Sequence, residues 1–194
     1  KGSIFYYFIF RLVRNFLSNE IIVNIYNFKV FGSNKKNKTS YYLLKKCEFG
    51  DHHELDLISK FSKQNKIIFL DCGCNYGFYS LYASSSNAMN RVISIEASKN
   101  TSDEFIKNLK LNNFSNIHFY NNAISNIDDK NVIFYESEND WESSQNHSNF
   151  KLSLKTKINS VKIDTLAAKY NYADYIIIIK LDIEGNEVNG ILGA

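Results

Sequence analysis

Residues 67–77, which read IIFLDCGCNYG, constrain the fold more than any other part of this sequence. Their four leading apolar residues predict a strand that is buried on both faces, and Asp71 stands where that strand should end. Gly73 and Gly77 then frame a tight turn, and residues 78–83 resemble the start of a helix. Glycines allow close backbone approach and helix N-termini present free N–H groups, so this strand–turn–helix predicts a site for a nucleoside-type cofactor.

Strands and helices alternate along the rest of the chain. Segments with the length and composition of strands lie at 91–95, 117–120, 132–135, 160–163 and 175–181. Helical periodicity is found at 52–61, 101–111 and 164–169. The segments at 132–135 and 160–163 predict an antiparallel excursion, and the remaining alternation predicts a doubly wound, mostly parallel α/β sheet of Rossmann-like topology.

The first 53 residues have a different pattern. Residues 20–31 and 41–45 are strand-like and predict a hairpin across a basic turn. The apolar run at 4–10 is too short to span a bilayer, and basic residues follow it, which is the wrong order for a signal peptide. Three interpretations stay open for it: peripheral membrane contact as an interfacial helix, and the two favoured ones, a helix packed on the domain and a segment from a longer parent chain. We therefore expect an N-terminal segment at 1–53 and a cofactor-binding domain at 54–194.

Composition narrows the function classes. Apolar residues make up 44% of the 194 residues and charged residues 22%, which is ordinary for a soluble globular protein. The net charge of +3 is too small to indicate a nucleic-acid partner. Three cysteines give neither a disulfide framework nor a zinc spacing, so a reduced, cytoplasmic protein is the simplest interpretation. Asp182 and Glu184 lack further ligands for a cation, so no metal site is predicted.

Polar or small residues follow four of the predicted parallel strands. They begin at Asp71, Glu96, Asn121 and Asp182. In a doubly wound sheet ligands bind beyond the carboxyl ends of the strands, so these four loops predict one site. Glu96 lies nineteen residues after Gly77, where an acid would accept hydrogen bonds from both hydroxyls of a ribose.

The residue at position 75 separates two kinds of cofactor. A dinucleotide fingerprint requires a glycine there for its pyrophosphate, but this chain has Asn75. The resulting pattern, acid-x-Gly-x-Asn-x-Gly, matches the first motif of S-adenosylmethionine-dependent methyltransferases. Asp71 and Asn75 supply acceptors for the amino-acid end and the ribose of that cofactor. Asn122 is a candidate for the adenine edge.

Two separated motifs resemble the FkbM family of methyltransferases. Residues 71–80 are similar to its opening motif, and residues 180–187, KLDIEGNE, are similar to its Lys-x-Asp-x-Glu-Gly-x-Glu signature. Asn108 to Asn112 resembles its Asn-Leu-x-x-Asn element, and Ala123 matches its alanine after the third strand. The chain departs from the family at Cys74, where alanine is common. The resemblance covers residues 54–194.

The resemblance implies a function and a set of site residues. The cofactor would be S-adenosyl-L-methionine, and the reaction O-methylation of a hydroxyl on a sugar, glycan or polyketide-type acceptor. Asp182 is the catalytic candidate, because it ends the strand expected beside the first one, opposite the cofactor cleft. The residues expected to bind the cofactor are Asp71, Gly73, Asn75, Gly77, Glu96, Asn122 and Ala123.

Two alternatives belong to other classes. One is a nicotinamide-dependent oxidoreductase on a similar fold, and the other is a truncated, non-catalytic cofactor-binding fragment. A methyltransferase sheet normally has further C-terminal strands, and without them the strand at 175–181 would be an unprotected apolar edge. We therefore expect a longer natural protein and poor solubility of the isolated chain. The oligomeric state and the methyl acceptor are not specified by the sequence.

Overall fold

A computed structural model describes residues 20–33, 52–137 and 153–194. Its strands are β1 (Glu20–Ile25), β2 (Phe28–Ser33), β3 (Ile67–Cys72), β4 (Arg91–Ile95), β5 (Ile117–Tyr120), β6 (Ala123–Ile124), β7 (Asp129–Ser137), β8 (Ser153–Val161) and β9 (Ile176–Leu181). Its helices are α1 (His52–Gln64), α2 (Phe78–Ser86), α3 (Lys99–Leu111), α4 (Ile163–Ala167) and α5 (Glu187–Leu192). The segments 4–10 and 41–45 lie outside the described residues.

The central sheet has the strand order β5-β4-β3-β9, and all its neighbouring pairs are parallel. The chain passes from β3 outward to β4 and β5, and later returns to the other side of β3 as β9. The order therefore reverses at β3, which is the position where doubly wound sheets bind their ligands. This topology confirms the predicted Rossmann-like fold class.

The two faces of β3 enter two different cores. Ile67 and Phe69 pack with side chains of α2, α3 and the β1–β2 hairpin. Ile68 and Leu70 pack on the opposite face with residues of β6, β8 and α4. Because successive side chains of a strand point to opposite faces, burial on both sides explains why the whole strand is apolar up to Asp71.

The N-terminal hairpin differs from the prediction. Residues 20–31 are not one strand, because β1 pairs antiparallel with β2 across a turn at positions 26 and 27, where Tyr26 has a φ of 49°. A two-residue turn of this kind leaves only a short polar interruption in the sequence pattern. Phe28 and Val30 enter the same core as Phe69. The expected domain boundary after residue 53 falls within the first turn of α1 and stays a prediction.

The antiparallel excursion is confirmed as β7 and β8, which pair along their length beside the short β6. Ile163, expected to end a strand, begins α4 instead, because Ile163 and Leu166 pack together at helical spacing into the second core. Within the described ranges, no helix is long and apolar enough to cross a bilayer.

The last strand, β9, lies at the edge of the described sheet. Its residues Ile176, Ile177 and Ile179 are 37%, 42% and 43% exposed, whereas every residue of β3 is buried. This agrees with the expected apolar edge. The neighbouring helix α5 also exposes apolar side chains, including Val188 and Leu192.

Candidate functional site

A row of polar side chains crosses the sheet near the carboxyl ends of its strands. Ser94 on β4, Asp71 on β3 and Lys180 on β9 are register partners in adjacent parallel strands. Equivalent positions in neighbouring strands share a face of the sheet. The row therefore places a buried acid and a cation side by side beneath the loops that follow these strands.

Asp71 is fully buried and lies inside β3, not after it as the sequence suggested. Its Oδ2 accepts a hydrogen bond from Ser80 Oγ at 2.7 Å, and Ser80 Oγ lies 2.7 Å from Ser94 Oγ. Its Oδ1 has no hydrogen-bond partner among the described residues. Burial raises the pKa of Asp71, against the opposing effects of Lys180 and Ser80.

The glycine turn contains three residues in the left-handed region, Gly73, Asn75 and Gly77, with φ of 78°, 52° and 79°. A Cβ at Gly73 would collide with the Asp182 carbonyl oxygen, and one at Gly77 would collide with the Phe105 ring. Asparagine tolerates positive φ better than most residues, which suits position 75. The turn therefore requires this residue pattern for its own shape.

The N–H groups of this turn are used within the protein, which corrects the expectation of free donors. Gly73 and Cys74 both donate to the Ile95 carbonyl at 2.9 Å, and Gly77 donates to the Cys74 carbonyl at 2.8 Å. Asn75 N donates to Glu96, and Tyr76 N donates to the side chain of Asn75. Two of these four acceptors, Ile95 and Glu96, lie outside the turn, so the sequence of the turn alone could not reveal them.

Glu96 follows β4 and faces the glycine turn. Its Oε2 accepts from Asn75 N at 2.9 Å, and its Oε1 accepts from Ser98 N at 2.8 Å. Burial raises the pKa of Glu96 to about 7, although both backbone hydrogen bonds act in the opposite direction. Each carboxylate oxygen has a second lone pair, so the group retains acceptor capacity toward a pair of hydroxyls.

The start of α3 borders the same cleft. Ser98 caps this helix by accepting from Thr101 N. Glu136 on β7 is also buried, and its Oε1 accepts from Lys99 N at 2.8 Å. A carboxylate at a helix N-terminus is favourable, because the first N–H groups lack intrahelical acceptors. Glu136 lies 37 residues away in sequence, so no local pattern indicated this contact.

The loop after β5 contains two asparagines with different partners. Asn122, the predicted adenine contact, donates from Nδ2 to the Asn159 carbonyl of β8 at 3.2 Å. Asn121 instead donates from Nδ2 to the Glu96 carbonyl at 2.8 Å and to Ser102 Oγ at 2.9 Å. Ala123 is buried within β6. Asn121 thus reaches from the end of β5 to the residue after β4, and it was not among the predicted cofactor-binding residues.

Asp182 lies at the opposite side of the glycine turn. Its backbone N donates to the Cys72 carbonyl at 3.0 Å, and its side chain is 64% exposed. Its Oδ2 accepts from Lys180 Nζ at 3.3 Å. The carboxylate therefore faces solvent beside the end of β3.

Lys180 was not selected from the sequence, because its importance depends on register between strands. Its Nζ lies 3.7 Å from Asp71 Oδ1, 3.5 Å from the Gly73 carbonyl oxygen and 5.1 Å from the centre of the Tyr79 ring. Burial lowers the pKa of Lys180, but the carboxylates of Asp71 and Asp182 outweigh it and raise the pKa overall. The ammonium is therefore charged and links the two acids.

Glu187, another acid after β9, binds the backbone of the loop before it. Glu187 Oε1 accepts from the backbone N of Ile183 and of Gly185, both at 3.1 Å. Burial by itself raises the pKa of Glu187, but these and other backbone hydrogen bonds lower it overall. In the part of the chain that the structure describes, no group of three or more acidic, cysteine or histidine residues is arranged to hold a metal ion.

A parallel sheet with a glycine turn and a facing acid at its reversal point defines a nucleoside-cofactor fold. The chain matches the Methyltransferase FkbM domain over residues 71–194, nearly two thirds of its length. It belongs to the FkbM family of methyltransferases, which confirms the resemblance found in the sequence. The predicted cofactor, S-adenosyl-L-methionine, is that of the family.

Several solved structures are similar to part of this chain. An FkbM methyltransferase from Methylobacillus flagellatus KT has 20% identity and a TM-score of 0.43, with 80% of this chain and 39% of that chain covered. A SAM-dependent methyltransferase from Agrobacterium tumefaciens has 14% identity and a TM-score of 0.44, with 54% and 33% covered. M. jannaschii TYW2, solved in complex with AdoMet, has 16% identity and a TM-score of 0.42, with 53% and 43% covered.

The chain spans 33% to 43% of the length of these solved proteins. No curated protein matches the sequence at a significant level. The family assignment therefore rests on the domain match.

Proposed function

We propose that this chain is the cofactor-binding part of an O-methyltransferase that acts on a hydroxyl of a sugar, glycan or polyketide-type acceptor. The observation that carries this proposal is the position of Glu96, whose carboxylate closes onto Asn75 of the glycine turn at the reversal point of the sheet. An acid that faces this turn is suited to accept hydrogen bonds from a ribose diol.

The described residues fit the adenosyl cofactor at three points. Glu96 would hold the ribose hydroxyls, and Asp71, whose buried Oδ1 accepts no hydrogen bond from the described residues and faces Lys180, would serve the amino-acid end near Gly73 and Gly77. Asn122 and Ala123, after β5, would border the adenine. Because the turn uses its own N–H groups internally, it contributes shape and acceptors, which suits a ligand without a pyrophosphate.

The chemistry divides between cofactor and protein. Bound S-adenosylmethionine supplies an electrophilic methyl group. The protein must orient an acceptor hydroxyl and accept its proton, and the exposure of the Asp182 carboxylate supports assigning this role to it. Such proton transfer typically contributes ~100- to 10,000-fold to the rate. Lys180 would keep the Asp182 carboxylate turned toward the cleft.

The cellular setting is part of the proposal. Cys72 and Cys74 are free and buried, which suits a reducing compartment such as the cytoplasm. A small-molecule or glycan acceptor is favoured over nucleic acid by the net charge of +3. Membrane contact through residues 4–10 stays a prediction.

Methyl transfer to a panel of aryl glycosides tests this function. A protein that contains this chain should transfer label from methyl-tritiated S-adenosylmethionine to at least one glycoside, and Asp182→Asn should abolish most of that transfer. If the label is transferred to protein or nucleic acid and to none of the glycosides, the proposed acceptor class is contradicted.

The nicotinamide-dependent alternative is disfavoured by the same turn. Asn75 replaces the glycine that a pyrophosphate requires, and the N–H groups of residues 73–77 are bound to acceptors within the protein. A thermal-shift comparison of S-adenosylhomocysteine with NADH separates the two cofactors. Stabilisation by NADH alone would support the oxidoreductase.

A further inference from the structure

Asn108 and Asn112 form an element of the sequence that the proposed chemistry does not use. Asn108 lies in the last turn of α3 and Asn112 is the C-cap residue of that helix, and they are only 2% and 7% exposed. Buried amides need several hydrogen-bond partners, so their positions require an explanation.

The two side chains bind the backbone of β2. Asn112 Oδ1 accepts from Lys29 N at 2.7 Å, and its Nδ2 donates to the Lys29 carbonyl at 2.6 Å. Asn108 Oδ1 accepts from Phe31 N at 2.7 Å. In an antiparallel pair, every second residue of a strand bonds its backbone N–H and C=O to the partner strand, and the residues between them direct these groups away from it. Lys29 and Phe31 are residues of the second kind, so their backbone N–H and C=O face the edge of β2 that is not paired with β1.

The spacing of the asparagines matches that of the strand. Four residues along a helix advance about 6.0 Å at 1.5 Å per residue. Two residues along an antiparallel strand advance about 6.8 Å. Amides at positions i and i+4 of α3 therefore reach alternate residues of β2, and they replace a neighbouring strand at this edge.

Asn108 also reaches the glycine turn. Its Nδ2 donates to the Tyr76 carbonyl at 3.0 Å, while Asn112 Nδ2 donates to the Asn108 carbonyl at 2.7 Å. The amide of Asn108 thus joins Phe31 of the hairpin to Tyr76 of the turn. Asn112 joins the hairpin to α3, and among the described residues its side chain makes no hydrogen bond to the turn.

We propose that Asn108 is a positioning residue of the cofactor site, through which the β1–β2 hairpin holds the glycine turn in its binding shape. The inference rests on the proposed function in one respect, that this turn binds S-adenosylmethionine. The Tyr76 carbonyl belongs to the peptide unit that joins Tyr76 to Gly77, and the residues on either side of Tyr76, Asn75 and Gly77, are both left-handed. Fixing this unit keeps Asn75 N directed at Glu96, and so keeps the turn and the acid in register.

A matched pair of variants tests the proposal. Asn108→Asp and Asn112→Asp each keep the acceptor oxygen for β2 and lose the NH2 donor, but only the first loses the bond to the turn. Binding of S-adenosylhomocysteine, measured by calorimetry, should weaken about tenfold in Asn108→Asp and stay within about twofold in Asn112→Asp. Amide hydrogen exchange without ligand should accelerate at residues 75–77 in Asn108→Asp alone.

Equal affinities and equal exchange at residues 75–77 in the two variants would overturn the proposal, since both would then have only a structural role. If the wild-type protein binds no S-adenosylhomocysteine, the proposed function fails, and the exchange comparison still decides whether Asn108 holds the turn. If Asn108→Asp does not fold, Asn108→Ser and Asn112→Ser give the same comparison without a buried charge.

Discussion

Asp71 and Glu96, at the ends of β3 and β4, are enclosed and held by hydrogen bonds from the protein, whereas Asp182, at the end of β9, is 64% exposed. The first region would hold the cofactor, and the second would meet the acceptor. This difference indicates that the cofactor side is formed before any ligand binds and that the acceptor side is open. A preformed site lowers the ordering cost of binding, which favours the first arrangement for a cofactor.

Lys180 is the residue that joins the two regions. Its ammonium lies between Asp71 Oδ1 and Asp182 Oδ2, at 3.7 Å and 3.3 Å. Its Nζ also donates a hydrogen bond to the Asp182 side chain. Variants on each side of this cation therefore show whether the two regions act separately.

The largest effect is expected at Asp182. Asp182→Asn should lower methyl transfer to a responsive glycoside by ~100- to 10,000-fold, because the carboxylate that takes the proton of the glycoside hydroxyl is lost. Its affinity for S-adenosylhomocysteine should stay within about twofold in calorimetry. Asp174→Asn, another exposed acid of the described chain, is the control. If affinity for S-adenosylhomocysteine falls as much as turnover, the cofactor region and the acceptor region do not act separately.

The reciprocal effect is expected at Glu96. Glu96→Ala should weaken binding of S-adenosylhomocysteine by roughly tenfold to a hundredfold, since hydrogen bonds to a charged group are lost. Glu96→Gln, which retains one acceptor oxygen, should lie between this variant and wild type. Calorimetry on all three proteins measures the series, and unchanged affinity in Glu96→Ala would exclude the diol contact.

A double-mutant cycle tests the link through Lys180. Lys180→Met should lower turnover about tenfold in the wild-type background, because Asp182 loses its hydrogen-bonding partner. In the Asp182→Asn background the same change should have almost no further effect on turnover. Lys180→Arg, which keeps the charge, should restore part of the rate. Losses that multiply would show that Lys180 acts without Asp182.

Lys180→Met should also reduce stability, since it leaves the carboxylate of Asp71 buried without a cation. Breaking a buried pair in this way typically costs about 3–5 kcal/mol. Urea unfolding of Lys180→Met and of Lys180→Met/Asp71→Asn measures the effect. The second variant should recover part of the loss, and no recovery would show that the charge of Asp71 is not its source.

The smallest effect is a dependence of cofactor affinity on pH. The pKa of Glu96 is raised to about 7, so its carboxyl gains a proton as the pH falls from 8 to 6. The protonated form offers fewer acceptor sites to a diol, and affinity for S-adenosylhomocysteine should fall at most about tenfold over this range. Glu96→Gln should show a flat profile. A wild-type affinity that rises at low pH would contradict the sign.

The sequence was sufficient for the parts of the site that depend on local pattern. The apolar run of β3, the glycine turn and the acid after β4 were all predictable, because period, spacing and turn chemistry lie within about thirty residues. The sequence interpretation missed the Tyr26 turn, since a two-residue hairpin barely interrupts the strand pattern.

Long-range contacts could not be predicted. Lys180 meets Asp71 through strand register, and Glu136 reaches α3 from a distant strand. The expectation of free N–H groups was wrong for the same reason, because the acceptors Ile95 and Glu96 belong to the next strand and its loop. The residue types indicated the kind of site. Contacts between distant elements determine which of its hydrogen-bonding groups remain available to a ligand.

Equilibrium dialysis of methyl-tritiated S-adenosylmethionine against a protein that contains this chain tests the central claim most directly. We expect the folded protein to retain the label, S-adenosylhomocysteine to displace it and an equal concentration of NADH to leave it bound. A folded protein that retains no label, or that releases it to NADH, would contradict the assignment of this cleft to an adenosyl methyl donor.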